Sequence, residues 1–174
     1  MTSTKNMTDQ LWEGQTASGP VIVLFDQAAL AVLDQHRQYG MFKQKEACGI
    51  LIGQYRGPHL RVTAVTPPQP SDFRTPVFYH RKASPHQALL DQHIAQHGST
   101  HCYLGEWHSH PQKHASPSMM DWAEWRLTIR LSKFRQQRLL FLILGTVSDY
   151  LAIAEQGNFY LINRADLDHH SRGH

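Results

Sequence analysis

The stretch GEWHSHPQKHASPSMMDW, residues 105–122, combines three histidines with serines and carboxylates. In an extended strand, residues i and i+2 project to the same face, so His108 and His110 can present two imidazoles to one point in space. Asp121 lies three residues after Ser118, on the same face of the first turn of a helix expected there. Such a set suits catalytic zinc, which has three protein ligands and leaves a fourth position to water.

A zinc site of this kind supplies hydroxide near neutral pH, because the metal lowers the pKa of bound water from about 15.7 to about 7. It also needs a general base and a donor to the developing oxyanion. Ser118, one turn before Asp121, is placed to be that donor. Each residue has an ordinary alternative: an exposed His-x-His pair, an aspartate that stabilises the helix dipole, and a serine that caps the helix. Their joint occurrence at this spacing favours the metal site, and His114 is interpreted as a solvated loop residue.

Hydrophobic patterning predicts the elements that must position these residues. CYLGEWHSH (102–110) is typical of a strand that runs into the site, and a helix is expected from Ser116 or Ser118 to about Phe134. LLFLILGTV (139–147) predicts a central strand buried on both faces. The other predicted elements are strands over 21–25, 47–57 and 60–68, helices over 26–40 and 84–96, and a hairpin over 150–162.

These elements predict an α/β domain with a mixed, partly antiparallel sheet and two or three helices. Residues 1–20 are expected to form a flexible polar arm, residues 21–163 a single catalytic domain, and residues 164–174 a polar tail. The proline-rich segment PPQPSDFRTP (67–76) predicts an irregular surface loop. We also expect the segment near residues 67–82 to line a channel, because it is rich in proline and adjacent to the sheet.

The totals limit the function classes. A chain of 174 residues suits one domain, and its net charge of +3 comes from scattered basic residues, which does not favour nucleic acid as a partner. We expect no membrane span, because the longest apolar run, LLFLIL, is too short to cross a bilayer. The start of the chain has no apolar signal region, so a cytoplasmic protein is expected. Cys48 and Cys102 are interpreted as small buried apolar residues.

The order of these residues resembles a known family. HSHPQKHASPSMMD matches, position for position, the His-x-His-Pro, six residues, Ser-x-x-Asp pattern of the JAMM or MPN-plus zinc metalloproteases. That family also has a glutamate before a small-residue and glycine run, and KEACGILIG supplies Glu46 in that setting. The resemblance implies that His108, His110 and Asp121 bind Zn²⁺, that Glu46 activates the water, and that Ser118 stabilises the tetrahedral intermediate.

The resemblance also implies an MPN/JAB-like (cytidine-deaminase-like) fold, with a mixed, largely antiparallel sheet flanked by two or three helices. It implies hydrolysis of an isopeptide or peptide bond after the C-terminal residue, typically glycine, of a ubiquitin-like or similarly conjugated protein. The inactive alternative, an MPN domain that serves as a protein-interaction module, usually lacks the ligands that this sequence retains.

A narrower resemblance involves YLGEWHSHP and the TPPQPSDFR segment, and it is to a compact bacterial branch found with E1- and E2-like enzymes. One type, in CBASS anti-phage operons, releases a cGAS-like nucleotidyltransferase from its conjugated targets. A sister type belongs to bacterial ubiquitin-like (BIL) operons, and the sequence leaves both open. The expected partners are the C-terminal tail of the conjugated protein, its conjugates, and the E1- and E2-like enzymes of the same operon.

Overall fold

The structure is a computed structural model that describes residues 9–40, 43–131 and 138–165. The elements of these ranges are, in chain order, β1 (Gln10–Thr16), β2 (Gly19–Phe25), α1 (Gln27–Gln35), β3 (Cys48–Arg56), β4 (His59–Val65), β5 (Phe73–Thr75), β6 (Phe78–His80), α2 (Ala83–His97), β7 (Cys102–Ser109), α3 (Met119–Leu131), β8 (Leu139–Leu144), β9 (Tyr150–Glu155) and β10 (Asn158–Arg164). Among the helices of these ranges, none has the length and apolar character needed to cross a membrane.

Eight strands form one sheet that closes on itself in the order β1, β10, β9, β8, β7, β3, β4, β2. The pairs β2–β4 and β7–β8 are parallel, and the other pairs are antiparallel. Strands β5 and β6 form a separate antiparallel hairpin. The predicted α/β class, with a mixed and largely antiparallel sheet and up to three helices, is confirmed.

The main core lies inside the closed sheet, where alternate strand residues meet. Trp107 of β7, Leu51 of β3 and Leu142 of β8 are buried in this cluster. Helix α3 covers the outer face of β8, where Trp125 packs on Phe141. Strand β8 is therefore buried on both faces, as its continuous apolar run predicts.

Strand β7 passes close to the backbone of β8 at Gly105. Its φ of 147° lies in a region that favours glycine, and a Cβ there would lie 1.9 Å from the carbonyl oxygen of Leu140. The pairing of β3 with β7 also shifts register at this level, between Leu51 and Ile52. Gly105 thus permits the tight strand contact that precedes the His-x-His pair.

The expected flexible arm over residues 1–20 is wrong for residues 10–20. Strand β1 pairs with both β2 and β10 and closes the sheet. The sequence of β1 does not indicate a strand clearly, because Trp12 is its one buried large apolar residue and most of its other residues are polar. The expected tail also starts too early, since β10 runs to Arg164. Residues 1–8 and 166–174 lie outside the described ranges.

The expected irregular loop over residues 67–76 is also wrong in part, because residues 73–75 form β5 and pair with β6. The prolines flank the strand: Pro70 precedes it and Pro76 begins the turn, so no strand amide is lost. Helix α1 ends at Gln35, before the predicted stop at Gly40. The predicted end of α3 near Phe134 lies outside the described residues.

Candidate metal centre

Strand β7 carries His108, and His110 lies one residue beyond its end, where its amide still donates to the carbonyl oxygen of Leu144 at 2.9 Å. Trp107 and Ser109 point toward the buried side of the sheet, so the alternation of the strand turns His108 and His110 to its outer face. Helix α3 begins just beyond the loop that follows β7, and Asp121 lies in its first turn. Strand alternation and helix start therefore bring the three side chains together.

The donor atoms of these three residues converge. His108 Nε2 lies 3.0 Å from His110 Nε2 and 3.2 Å from Asp121 Oδ1, and His110 Nε2 lies 3.5 Å from Asp121 Oδ2. All three residues are buried, and their ligand atoms lie within 4.8 Å of one another. Two imidazole nitrogens and a carboxylate suit zinc by their chemistry.

The second nitrogen of each imidazole faces an acceptor. His108 Nδ1 lies 3.4 Å from the hydroxyl oxygen of Tyr79, and His110 Nδ1 lies 3.4 Å from Oε1 of Gln112. With hydrogen on both Nδ1 atoms, these oxygens can accept it, and both Nε2 lone pairs then face the space between the three side chains. This is the arrangement that a metal ion requires, so the residues fit a bound metal ion.

Glu46 lies beside the candidate ligands, with Oε1 3.9 Å from His110 Nε2 and only 5% of the residue exposed. Its backbone amide donates to the carbonyl oxygen of Thr75 at 2.8 Å, and Ala47 donates to Ser109 Oγ at 2.8 Å. Burial, followed by the negative charge of Asp121, raises the pKa of Glu46 to about 8. Such a carboxyl can both accept and release a proton near neutral pH.

Ser118 and Asp121 form a reciprocal cap at the start of α3. The amide and hydroxyl of Ser118 both donate to Asp121 Oδ2 at 2.6 Å, and the amide of Asp121 donates to Ser118 Oγ at 3.1 Å. Burial acts to raise the pKa of Asp121, but hydrogen bonds from His108 and Ser118 outweigh it and hold this pKa below its usual range. Ser118 thus keeps the aspartate ionised and oriented.

His110 is held neutral by its surroundings. Burial and the neighbouring His108 imidazole lower the pKa of His110 below its ordinary value. A neutral imidazole retains the lone pair with which histidine binds a metal. The candidate metal centre therefore contains the anionic carboxylate of Asp121 and the neutral imidazole of His110.

A groove of about 620 Å³ lies between the β5–β6 hairpin and α3, and Glu46, His110 and Asp121 form part of its lining. It is lined by Glu46, Val77, Phe78, Tyr79, His80, Arg81, Glu106, His110, Pro111, Gln112, Ser118, Met119, Met120, Asp121, Glu124 and Thr128. Residues 77–81 lie in the segment that the sequence analysis expected to line a channel.

The sequence did not single out the individual contacts of three groove residues, Tyr79, Arg81 and Glu106. Arg81 forms an ion pair with Glu106 on the wall of the groove. Glu106 could have been found, because it precedes His108 by two residues and shares its face of β7. No local pattern marks Tyr79 or Arg81, which reach the site only through the fold of the hairpin.

The remaining candidates are not among the converging ligand atoms, although Cys48 lies opposite His108 in the pairing of β3 with β7. His114 is exposed, and its Nδ1 lies 2.9 Å from Ser148 Oγ, which confirms its interpretation as a loop residue. Cys48 is buried as expected, and burial raises the pKa of its thiol to about 12. Cys102 is only half-buried, so the expectation that it is buried is wrong in part; it lies at the first position of β7 and packs against the main core.

Comparison with known families identifies this arrangement. A family model described as prokaryotic homologs of the JAB domain matches residues 27–160. The chain belongs to this family. The matched range contains all five candidate site residues of this prokaryotic JAB-domain protein, from Glu46 to Asp121.

Its relatives include proteins named CD-NTase/cGAS isopeptidase. One from Vibrio cholerae is 34% identical over 64% of this chain and 69% of the relative, and one from Escherichia coli is 35% identical over 56% and 62%. A third, from Pseudomonas aeruginosa, is 32% identical over 74% of this chain and 80% of the relative. A solution structure of a protein from Desulfitobacterium hafniense has a TM-score of 0.51 and 22% identity, with 88% of this chain and 99% of that chain covered, which shows a shared fold.

Proposed function

We propose that this JAB-domain protein is a zinc-dependent isopeptidase that releases a cGAS-like nucleotidyltransferase (CD-NTase) from the targets to which its C-terminal residue is joined. The convergence of His108, His110 and Asp121 beside the buried Glu46 is the observation that carries this proposal. The substrate class comes from the names of the three relatives. Those names favour the CBASS type of operon over the BIL type.

His108, His110 and Asp121 would hold the metal through Nε2, Nε2 and a carboxylate oxygen. Bound zinc supplies a Lewis acid that polarises a carbonyl and brings the pKa of water towards about 7. Tyr79 and Gln112 keep hydrogen on the Nδ1 atoms and so orient the two imidazoles. Ser118 orients the aspartate through the cap of α3.

Glu46 is proposed to move the proton of the reaction. Its carboxylate accepts a proton from the attacking water, and the resulting carboxyl donates that proton to the leaving amine nitrogen. The raised pKa of Glu46, about 8, suits it to hold a proton between these two events. The amides of Glu46 and Ala47 are tied to Thr75 and Ser109, which fixes where that proton can be delivered.

Ser118 is proposed to act on the carbonyl oxygen. Ser118 is exposed at the groove. Its hydroxyl can rotate away from Asp121 and donate to the substrate carbonyl oxygen as that oxygen gains negative charge. This second role is compatible with the cap, because the amide of Ser118 also donates to Asp121 Oδ2 at 2.6 Å.

The groove between the β5–β6 hairpin and α3 is proposed to hold the C-terminal tail of the substrate in an extended form. The side chains around Glu46 and His110 are buried and close together, which favours glycine as the last residue of the tail. E1- and E2-like enzymes of the same operon would form the conjugates in the bacterial cytoplasm, and the peptidase would reverse or process them there.

The proposal is tested with a fusion in which a CD-NTase C-terminal tail is joined through its last residue to a reporter. We expect zinc-loaded protein to release the reporter, with mass spectrometry locating the broken bond after the last residue of the tail. Chelated protein and Asp121→Ala should release none. Tail binding without release by zinc-loaded wild type would instead indicate a non-catalytic interaction module.

A further inference from the structure

The β5–β6 hairpin touches the proposed catalytic apparatus at two points. The hydroxyl of Tyr79 faces His108 Nδ1, and the carbonyl oxygen of Thr75 accepts the amide of Glu46 at 2.8 Å. Just beyond β6, Arg81 pairs with Glu106 of β7. The position of this hairpin therefore bears on a ligand, on the proposed base and on the width of the groove.

The hairpin cannot hold this position by its own pairing. Each of its strands has three residues, and it is not part of the closed sheet. An isolated two-stranded hairpin is marginally stable in water even when its strands are longer. Phe73 and Val77 are exposed, so the hairpin has no large core of its own. Contacts with the rest of the protein must supply the missing constraint; one of these is the hydrogen bond from Gln38 Nε2 to the carbonyl oxygen of Pro76 at 2.7 Å, and others lie at the base of the hairpin.

Asp72 fastens both ends of the hairpin. Its fully buried carboxylate accepts the amide of Gln69 at 2.6 Å through Oδ2 and the amide of Lys82 at 2.9 Å through Oδ1. Gln69 precedes β5 and Lys82 follows β6, so a single side chain closes the segment into a loop. His86 Nε2, from the first turns of α2, lies 3.1 Å from Asp72 Oδ2.

His86 links this carboxylate to the main sheet. It is 0% exposed, and its Nδ1 lies 2.5 Å from Thr66 Oγ1, which accepts the amide of Ile50 at 2.9 Å. The carbonyl oxygen of Thr66 accepts Trp107 Nε1 at 3.1 Å, on the strand that carries the two histidine ligands. Burial lowers the pKa of His86, so the neutral ring donates from Nε2 to Asp72 and accepts the Thr66 hydroxyl at Nδ1.

We propose that Asp72 and His86 are positioning residues that hold the β5–β6 hairpin as a fixed wall of the groove, against which the C-terminal tail of the substrate binds. This inference rests on the proposed function for its substrate, but the anchoring of the hairpin is independent of it. The buried pair thereby determines how tightly the tail is held, without contact to the reacting bond.

Two matched pairs of variants test the proposal. His86→Leu removes the donor to Asp72, whereas His86→Gln keeps an amide donor at that side chain. Asp72→Asn removes one acceptor from the base of the hairpin, whereas Asp26→Asn weakens an equally bidentate carboxylate, paired with Arg61, that does not line the groove. Each variant is measured by amide hydrogen exchange of residues 73–80, by zinc content and by the KM and kcat for the tail fusion.

We expect His86→Leu and Asp72→Asn to speed exchange over residues 73–80 by about tenfold or more, because a buried polar group is left without a partner. Their KM should rise about fivefold or more and by a larger factor than kcat falls, with zinc content within about twofold of wild type. His86→Gln and Asp26→Asn should stay close to wild type in all these measures.

Unchanged exchange in both His86→Leu and Asp72→Asn would overturn the anchoring. Faster exchange with an unchanged KM would overturn the role of the hairpin as a wall for the tail. A wild type that never cleaves the fusion would count against the proposed function alone, because the exchange measurement still reports on the hairpin. If Asp72→Asn does not fold, the comparison of His86→Leu with His86→Gln tests the anchoring of the hairpin by itself.

Discussion

At the scale of single residues, each histidine of the candidate centre is oriented by a neighbour that binds its second nitrogen. Tyr79 contacts Nδ1 of His108, Gln112 contacts Nδ1 of His110, and Ser118 donates to the carboxylate of Asp121. These outer contacts come from two segments of the chain, β6 for Tyr79 and the loop between β7 and α3 for Gln112 and Ser118. The centre therefore consists of three ligands and of neighbours that orient them.

Ser118 has two separable roles, and two substitutions distinguish them. Ser118→Ala should lower kcat by about 10²–10³-fold, because it removes a donor to the developing oxyanion. It should also lower the free energy of unfolding by about 1 kcal/mol through loss of the helix cap. Ser118→Thr, which keeps a hydroxyl, should restore the unfolding free energy and much of kcat. Equal kcat for Ser118→Ala and wild type, measured with the tail fusion, would remove the catalytic role.

His86 gives the protein a dependence on pH outside the metal centre. Burial lowers the pKa of His86 in the folded state below its ordinary value of 6.5, so the folded state binds the proton less readily than the unfolded state. The stabilising effect of the neutral ring is complete above pH 6.5 and is lost as the pH falls through the folded pKa.

We therefore expect the free energy of unfolding of wild type to fall relative to that of His86→Gln between pH 6.5 and pH 5. The difference should grow by at most about 1.4 kcal/mol per pH unit. Denaturant unfolding of both proteins at matched zinc content measures it. Parallel stability curves over this range would show that His86 does not titrate as its burial requires.

At the scale of elements, the strand and helix that carry the ligands could be predicted, because each has a strong local signal. Strand β7 ends two residues before Pro111, and α3 begins directly after Ser118, which follows Pro117. The β5–β6 hairpin lacked such a signal, since its exposed strands have no apolar alternation and prolines flank them. Its order depends on Asp72, whose partners Gln69, Lys82 and His86 are scattered along the chain.

Replacement of the hairpin tests its contribution as an element. A short Gly-Ser loop in place of residues 73–80 should lower kcat/KM about tenfold or more, because the wall of the groove and the contact of Tyr79 are both lost. As a control, Gly-Gly in place of residues 156–157, a turn that does not line the groove and has positive φ at both positions, should leave kcat/KM unchanged. An unaltered kcat/KM in the hairpin replacement would show that the tail binds elsewhere.

At the scale of the whole molecule, the closed sheet makes the site depend on distant parts of the chain. Strand β1 completes the closure by pairing with β2 and β10, although its sequence is mostly polar. Closure is a long-range property that no local pattern records, which is why the sequence predicted an arm there. The site lies on the outer face of β7, and Trp107 on the inner face of this strand packs in the main core.

The central claim is that the chain is a zinc isopeptidase with Glu46 as its proton carrier. The most direct test measures the zinc content of wild type and Glu46→Gln together with cleavage of the tail fusion by each. We predict about one zinc ion per chain in both proteins, with turnover lower in Glu46→Gln by about 10²–10⁴-fold. Near-normal turnover in Glu46→Gln, or a zinc-loaded wild type that leaves every CD-NTase tail intact, would contradict the account.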